Sequence, residues 1–207
     1  MRPTSSLLAS FLVVATLAST ARADDLLEPP RPRQGYWLAG GAHVATLQGF
    51  ERGESVGPMV GWQGTIRLGE LLTERFGMGL VIDFGSASGD DNEAGFGGLA
   101  FEGQAVLVGN LSATGAVGLA VVSVTSPDDD DDALRGAAGA GYTAALRYDW
   151  FVSPRRSGGL ALTPTLSVRF VPGDTDVIAG FLGVELTWWT GLPKNQLDLR
   201  DASAYTR

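Results

Sequence analysis

The chain has 207 residues, no cysteine, 29 glycines and a net charge of −8. One domain fits that length. The missing cysteines exclude disulfides, thiolate metal sites and a lipidated N-terminal cysteine, and the acidic balance argues against a nucleic-acid partner.

Residues 1–23 read as a signal peptide. Arg2 supplies a basic start, Leu7 to Ala18 is the apolar run, and Ala21-Arg22-Ala23 has the small-x-small form of a cleavage site. The apolar run is shorter than the roughly 20 residues a spanning helix needs. Removing this segment takes away Arg2 and Arg22 and no acid, which leaves 13 basic and 23 acidic side chains, a net −10. Residues 24–34, with Pro29, Pro30 and Pro32, read as a periplasmic lead-in without regular structure.

Eight strands follow, each recognised by period-two alternation. The first, over 35–46, places Tyr36, Leu38 and Val44 on one face and Trp37 and His43 on the other. Residues 47–57 read as a loop. The second, over 58–69, alternates Val60, Trp62, Ile66 and Leu68 with Met59, Gln63, Thr65 and Arg67.

The third strand, over 75–85, has the sharpest alternation. Phe76, Met78, Leu80, Ile82 and Phe84 share one face, and Arg75, Gly77, Gly79, Val81, Asp83 and Gly85 share the other. A polar loop at 86–95 leads to the fourth strand, over 96–108, which sets Leu99, Phe101 and Leu107 against Glu102 and Gln104. Gly109-Asn110 is a hairpin signal. The fifth strand, over 111–124, exposes Val117, Leu119 and Val121, while Val122 and Val124 blur its inner face.

A loop at 125–134 holds Asp128, Asp129, Asp130, Asp131 and Asp132. Such oxygen ligands suit a hard divalent cation. The run lacks the spaced ligands and the glycine of an EF-hand, so it reads first as a solvated acidic loop. Cations bridging it to lipopolysaccharide phosphates are a second reading.

The sixth strand, over 135–151, carries Tyr142, Leu146 and Trp150 outward and Arg147 and Asp149 inward. The seventh, over 160–171, carries Leu162, Leu166, Val168 and Phe170 outward and Arg169 inward. Pro164 lies within it and donates no ladder bond, so a bulge or a locally missing bond is expected there. The eighth, over 175–189, exposes Ile178, Leu182, Val184, Leu186 and Trp188 and turns Glu185 inward. Residues 190–207 form a short C-terminal tail.

The predicted fold is all-β: a closed, eight-stranded, antiparallel up-and-down transmembrane barrel over 35–189. Apolar faces meet lipid and charges face the lumen. A soluble barrel of lipocalin type, with the apolar faces turned inward, is the alternative fold. The inner faces hold Arg67, Arg75, Arg147 and Arg169 against Asp83, Glu102, Asp149 and Glu185. Counting from the turns predicts two ion-pair clusters. The lower holds Arg67, Arg75, Arg147, Asp149 and Glu185, and the upper holds Asp83, Glu102 and Arg169. Tyr36, Trp37, Phe76, Tyr148, Trp150, Phe151, Trp188 and Trp189 would form one aromatic belt, and Trp62, Phe84, Phe101 and Phe170 the other.

The signal peptide, eight alternating strands and aromatic belts resemble the small outer-membrane β-barrel proteins of the OmpA/OmpX type. Gly183-Val184-Glu185-Leu186-Thr187-Trp188 resembles the core of the last-strand signal read by the barrel-assembly machinery in that family, with Gly183, Leu186 and Trp188 at its key positions. Phe181 departs from it, since a polar residue is usual there. The resemblance implies a monomer in the bacterial outer membrane. Its partners would be lipid and lipopolysaccharide, and it would hold no cofactor.

The function expected is structural or surface-interacting, with a side-chain-filled lumen and no enzymatic activity. A narrow pore for small solutes is the alternative. A lipid A-modifying enzyme using His43, the only histidine, is a third reading. It would need a serine and an acid converging on that ring.

Overall fold

The computed structural model describes residues 33, 35–51, 54–89, 92–125, 135–155, 158–173 and 175–191. The signal peptide, the aspartate run at 128–132 and the tail beyond 191 lie outside the described residues. Nine strands form one sheet: β1 (Tyr36–Glu51), β2 (Glu54–Leu71), β3 (Phe76–Ser88), β4 (Glu93–Val108), β5 (Leu111–Thr125), β6 (Arg135–Tyr148), β7 (Trp150–Arg155), β8 (Gly158–Val171) and β9 (Asp176–Trp189). All neighbours pair antiparallel. β1 pairs with both β2 and β9, and β6 pairs with β8, so the sheet closes on itself. Both described chain ends, the turns near 72–75 and 109–110, and the facing ends of β7 and β8 lie at one end of the barrel, here the termini end. The connections after β1, β3, β5 and β8 lie at the loop end.

Nine strands make eight staves because β6 and β7 are one wall element interrupted once. Arg147 pairs with Thr165 and Trp150 with Leu162, so the register is unchanged across the interruption. The unpaired step, Tyr148 and Asp149, faces Pro164 and Thr163. A proline has no N–H to give to the Tyr148 carbonyl. The locally missing bond expected at Pro164 is therefore present, on its β6 side only. On the other side Pro164 stays in register with Val184, without a bulge. Pro164 faces outward, so Pro164→Leu keeps an apolar side chain there and restores a donor. We expect it to stabilise the barrel by about 0.5–1.5 kcal/mol, the net worth of one hydrogen bond. Hydrogen exchange should show a protected amide at position 164.

The ladder also fixes the barrel's dimensions. Trp37 pairs with Gly69, Gly69 with Gly79, Gly79 with Glu102 and Glu102 with Ala116. Ala116 pairs with Thr143, Thr143 with Arg169, Arg169 with Ala179, and Ala179 with Leu47. One circuit thus climbs from Trp37 to Leu47, a stagger of ten residues. With eight staves at the usual strand spacing, that stagger sets a tilt of about 40°.

The orientation of the side chains follows the alternation. Along β3, Ile82 is 46 % exposed, while its neighbours Val81 and Asp83 are 7 % and 3 % exposed. Leu38, Ile66, Leu99, Leu119, Leu166 and Leu186 all point out of the wall, and Arg67, Glu102, Arg147 and Glu185 all point in. An exterior this rich in large apolar side chains is unstable in water and natural in hydrocarbon. The soluble-barrel alternative requires the reverse, so it is set aside.

Four expectations need correction. Residues 47–57 are mostly strand, with β1 and β2 forming a hairpin that reaches Glu51 and Glu54 and shifts register between Leu47 and Gly49, and the loop expected at 86–95 shrinks likewise to the residues between Ser88 and Glu93. Arg75 does not enter the lumen: β3 begins at Phe76, so Arg75 stays in the turn before the ladder and is exposed. Trp37 and Trp189 are not belt residues. They face inward and are buried, while Tyr36, Trp150 and Trp188 remain exposed. Finally, the two-cluster arrangement of the ions is replaced by three groups, described next.

Candidate functional site

The lumen is the place where this chain concentrates its chemistry. Four layers fill it. Nearest the termini end, Trp37, Trp189 and Leu71 form a small apolar cluster against which Phe151 packs. The two indole rings lie 5.4 Å apart. The strand glycines beneath Trp37 explain how so large a ring fits. A Cβ at Gly69 would lie 2.2 Å from the Trp37 ring, and one at Gly79 would lie 2.9 Å from it. Glycine there is a matter of space rather than of backbone angle.

At the same level sits an arginine that precedes the first strand. Arg33 is buried, with Nε 3.2 Å from Asp149 Oδ2 and Nη2 donating to the Asn110 carbonyl at 2.7 Å. Its guanidinium stands 5.5 Å from the centre of the Trp189 ring. Asp149 also accepts a hydrogen bond from Thr163 Oγ1 at 2.8 Å, and Thr163 Oγ1 lies 2.9 Å from Thr187 Oγ1. Burial pulls the Arg33 pKa down from its ordinary value, and the Asp149 charge opposes that pull. Sequence reading missed Arg33, because nothing local marks it. Its partners come from the turn before β5 and from the β6–β7 junction.

The next layer is a charge-balanced network from five strands. Arg67 on β2 reaches both carboxylates. Its Nε lies 3.1 Å from Glu102 Oε1, its Nη2 makes a second close contact with Glu102, and its Nη1 donates to Glu185 Oε2 at 2.7 Å. Arg147 completes the group, 3.4 Å from Glu102 and 3.7 Å from Glu185, and its Nη1 also donates to Thr114 Oγ1. Two arginines face two glutamates, so the network is neutral. All four groups are buried. His43 stands beside it, with Nε2 3.6 Å from Glu185 Oε1. Neither ring nitrogen has a hydrogen-bond partner.

Beyond it, Asp83 and Arg169 form a two-pronged pair, at 2.6 and 2.5 Å. Arg169 Nε donates to Thr143 Oγ1 at 3.1 Å. The Arg169 guanidinium stands 5.5 Å from the Phe181 ring centre, where the ionic part of the lumen meets the apolar part. Toward the loop end the filling is apolar: Leu47, Met59, Phe96, Val122, Val124, Val171, Val177 and Phe181 pack with small alanines. Val122 and Val124, which blurred the inner face of their strand in sequence, belong to this apolar core.

Glu102 therefore joins Arg67 rather than Asp83, and Asp149 joins Arg33 rather than Arg67. Counting residues from the nearest turn fails as a measure of height, because the ladder climbs ten residues in one circuit. Side chains at equal counts on distant staves sit at different levels.

A catalytic arrangement around His43 needs a nucleophile within hydrogen-bond reach. The acid present, Glu185, is held by Arg67, and no hydroxyl is hydrogen-bonded to either ring nitrogen. Among the described residues no cluster of three or more His, Asp or Glu side chains could hold a metal ion.

No family model and no curated protein matches the sequence. Solved structures match the fold. The attachment invasion locus protein Ail of Yersinia pestis superposes with a TM-score of 0.57 at 12 % identity, over 75 % of this chain and 99 % of that one. Ail in complex with the heparin analogue sucrose octasulfate gives 0.55 at 13 % identity, over 75 % and 99 %. Neisserial surface protein A gives 0.49 at 13 % identity, over 75 % and 97 %. The chain has the fold of the small eight-stranded outer-membrane β-barrel proteins.

Proposed function

We propose that this chain is a bacterial outer-membrane barrel that works as a structural or surface-interacting element, with a lumen built as a plug. The observation that carries the reading is the succession of side-chain layers from Trp37 and Trp189, through the Arg67 network and the Asp83–Arg169 pair, to Phe96 and Phe181. An eight-stranded barrel has room for side chains and little else. Here those side chains lock one another by charge-assisted bonds. The termini end then faces the periplasm and the loop end the exterior, and the barrel is a monomer in lipid.

Planar-bilayer recording tests the reading. The purified barrel should insert and pass no steady current. Reproducible single-channel steps from the unmodified chain would instead favour a narrow pore. Enzymatic modification of lipid A through His43 is disfavoured because the ring is sealed in the lumen, away from acyl chains. Lipid A mass analysis with and without the protein should show no difference.

The loops at the outer end are where a partner would be met. Their sequence is acidic: Glu51, Glu54, Asp90, Asp91, Glu93, Asp128 to Asp132, Asp174 and Asp176 against Arg52 and Arg135. Such loops would approach lipopolysaccharide phosphates through divalent cations rather than directly. Asparagine at all five positions 128–132 should abolish any calcium-dependent gain in thermal stability. The same acidity sets an expectation opposite to the Ail complex, namely no measurable binding of sucrose octasulfate. Gly183, Leu186 and Trp188 remain our proposed signal for the barrel-assembly machinery.

A further inference from the structure

Arg33 lies outside the ladder, just before β1, yet it is buried as deeply as the lumen ions. Its polar contacts are on the far side of the barrel. In the ring of eight staves β1 and β5 stand four steps apart, which is diametrically opposite. Asn110 is in the turn that enters β5, and Asp149 is at the junction of β6 and β7. The guanidinium thus crosses the mouth and meets a prepared site: a carboxylate at 3.2 Å, a backbone carbonyl at 2.7 Å and the face of Trp189. Carboxylate, carbonyl and aromatic face together suit a planar fork of donors better than a compact ammonium.

The place it braces is also an interruption in the wall. The ladder is interrupted at Tyr148 and Asp149 opposite Pro164, and the Asp149 amide turns instead to the Asn110 carbonyl at 3.1 Å. Arg33 donates to that same carbonyl. It therefore ties the residue before β1 to a junction where the ladder to β8 is interrupted.

We propose that Arg33 is a strap across the termini-end mouth, which closes the ionised lumen to bulk water and holds the β6–β7 junction in place. The proposal goes beyond the plugged-lumen reading and rests on it only for the layers behind the strap.

The natural chain has no cysteine, so a single reporter can be placed behind the strap. Thr163→Cys puts a thiol one hydrogen bond beyond Asp149. The full-length mature barrel, refolded in lipid, is treated with a water-soluble trimethylammonium thiosulfonate. With Arg33 in place the thiol should react slowly. With Arg33→Ala it should react at least tenfold faster, while folding remains visible as the usual gel shift between unheated and boiled samples. Should Arg33→Ala fail to fold, Arg33→Lys serves instead. An ammonium cannot span Asp149 and the Asn110 carbonyl together, so it too should speed the reaction. Equal rates with and without the arginine overturn the strap. A silent bilayer recording beside equal rates would overturn the strap alone, whereas steady current in the unmodified barrel would overturn the plugged lumen as well.

Discussion

Replacing Arg67 with methionine should cost the folded barrel about 3–5 kcal/mol, the usual penalty for removing one partner of a buried ion pair. The expectation is at the upper end because two carboxylates lose their partner at once. Arg67 holds Glu102 through Nε and Nη2 and Glu185 through Nη1. After its removal Arg147 is the one arginine left in the network, at 3.4 and 3.7 Å and shared between two buried acids. One of them must then carry an uncompensated charge or take a proton. Urea unfolding in lipid vesicles, followed by tryptophan fluorescence, measures the loss. The companion Arg67→Met with Glu102→Leu removes one charge of each sign and leaves Arg147 to pair with Glu185. It should recover at least about 1 kcal/mol of the loss, a non-additivity that only contacting residues produce. A loss below about 1 kcal/mol in the single variant would mean that water reaches the network.

Gly183→Ala should be nearly as damaging by a different route. A Cβ there would lie 2.2 Å from the Ala42 carbonyl oxygen, 2.5 Å from His43 Cα and 2.6 Å from His43 Cδ2. Two of those atoms are backbone of the paired strand, so no rotamer change relieves the contact. Relief requires separating β1 from β9, the first strand of the barrel from the last. A cost of about 3 kcal/mol is expected, at the top of the usual range for overpacking. Gly139→Ala is the control, since a Cβ there meets nothing within 4 Å. It should leave stability unchanged within about 0.5 kcal/mol or raise it slightly. Refolding from urea without assembly machinery separates this steric cost from any loss of a biogenesis signal at Gly183.

The strands themselves were legible because each obeys one period and each outward residue meets the same solvent. Ile82 and Phe84 needed no knowledge of their neighbours to be placed. Heights inside the barrel were not legible, because they depend on the stagger, which is a property of the closed ring. Glu102 and Asp149 were assigned to the wrong partners for that reason. Arg75 was misplaced because alternation continues formally into a turn, where it no longer reports a face. The apolar half of the lumen left a signal: Met59, Phe96, Val122, Val124 and Phe181 all fall on the inward phase near the loop-end halves of their strands. Arg33 left none. A proline-rich lead-in gives no hint that one of its side chains will fill a site built from residues far along the chain.

The claim on which all of this rests is that the even positions of β3 face hydrocarbon and the odd ones a dry interior. Single spin labels at positions 78 and 80 to 84 in the lipid-embedded barrel, scanned for collision with oxygen and with a water-soluble nickel complex, test it directly. Labels at 78, 80, 82 and 84 should meet oxygen freely and nickel hardly at all, while labels at 81 and 83 should be shielded from both. Oxygen access at the odd positions with shielding at the even ones would contradict the orientation outright.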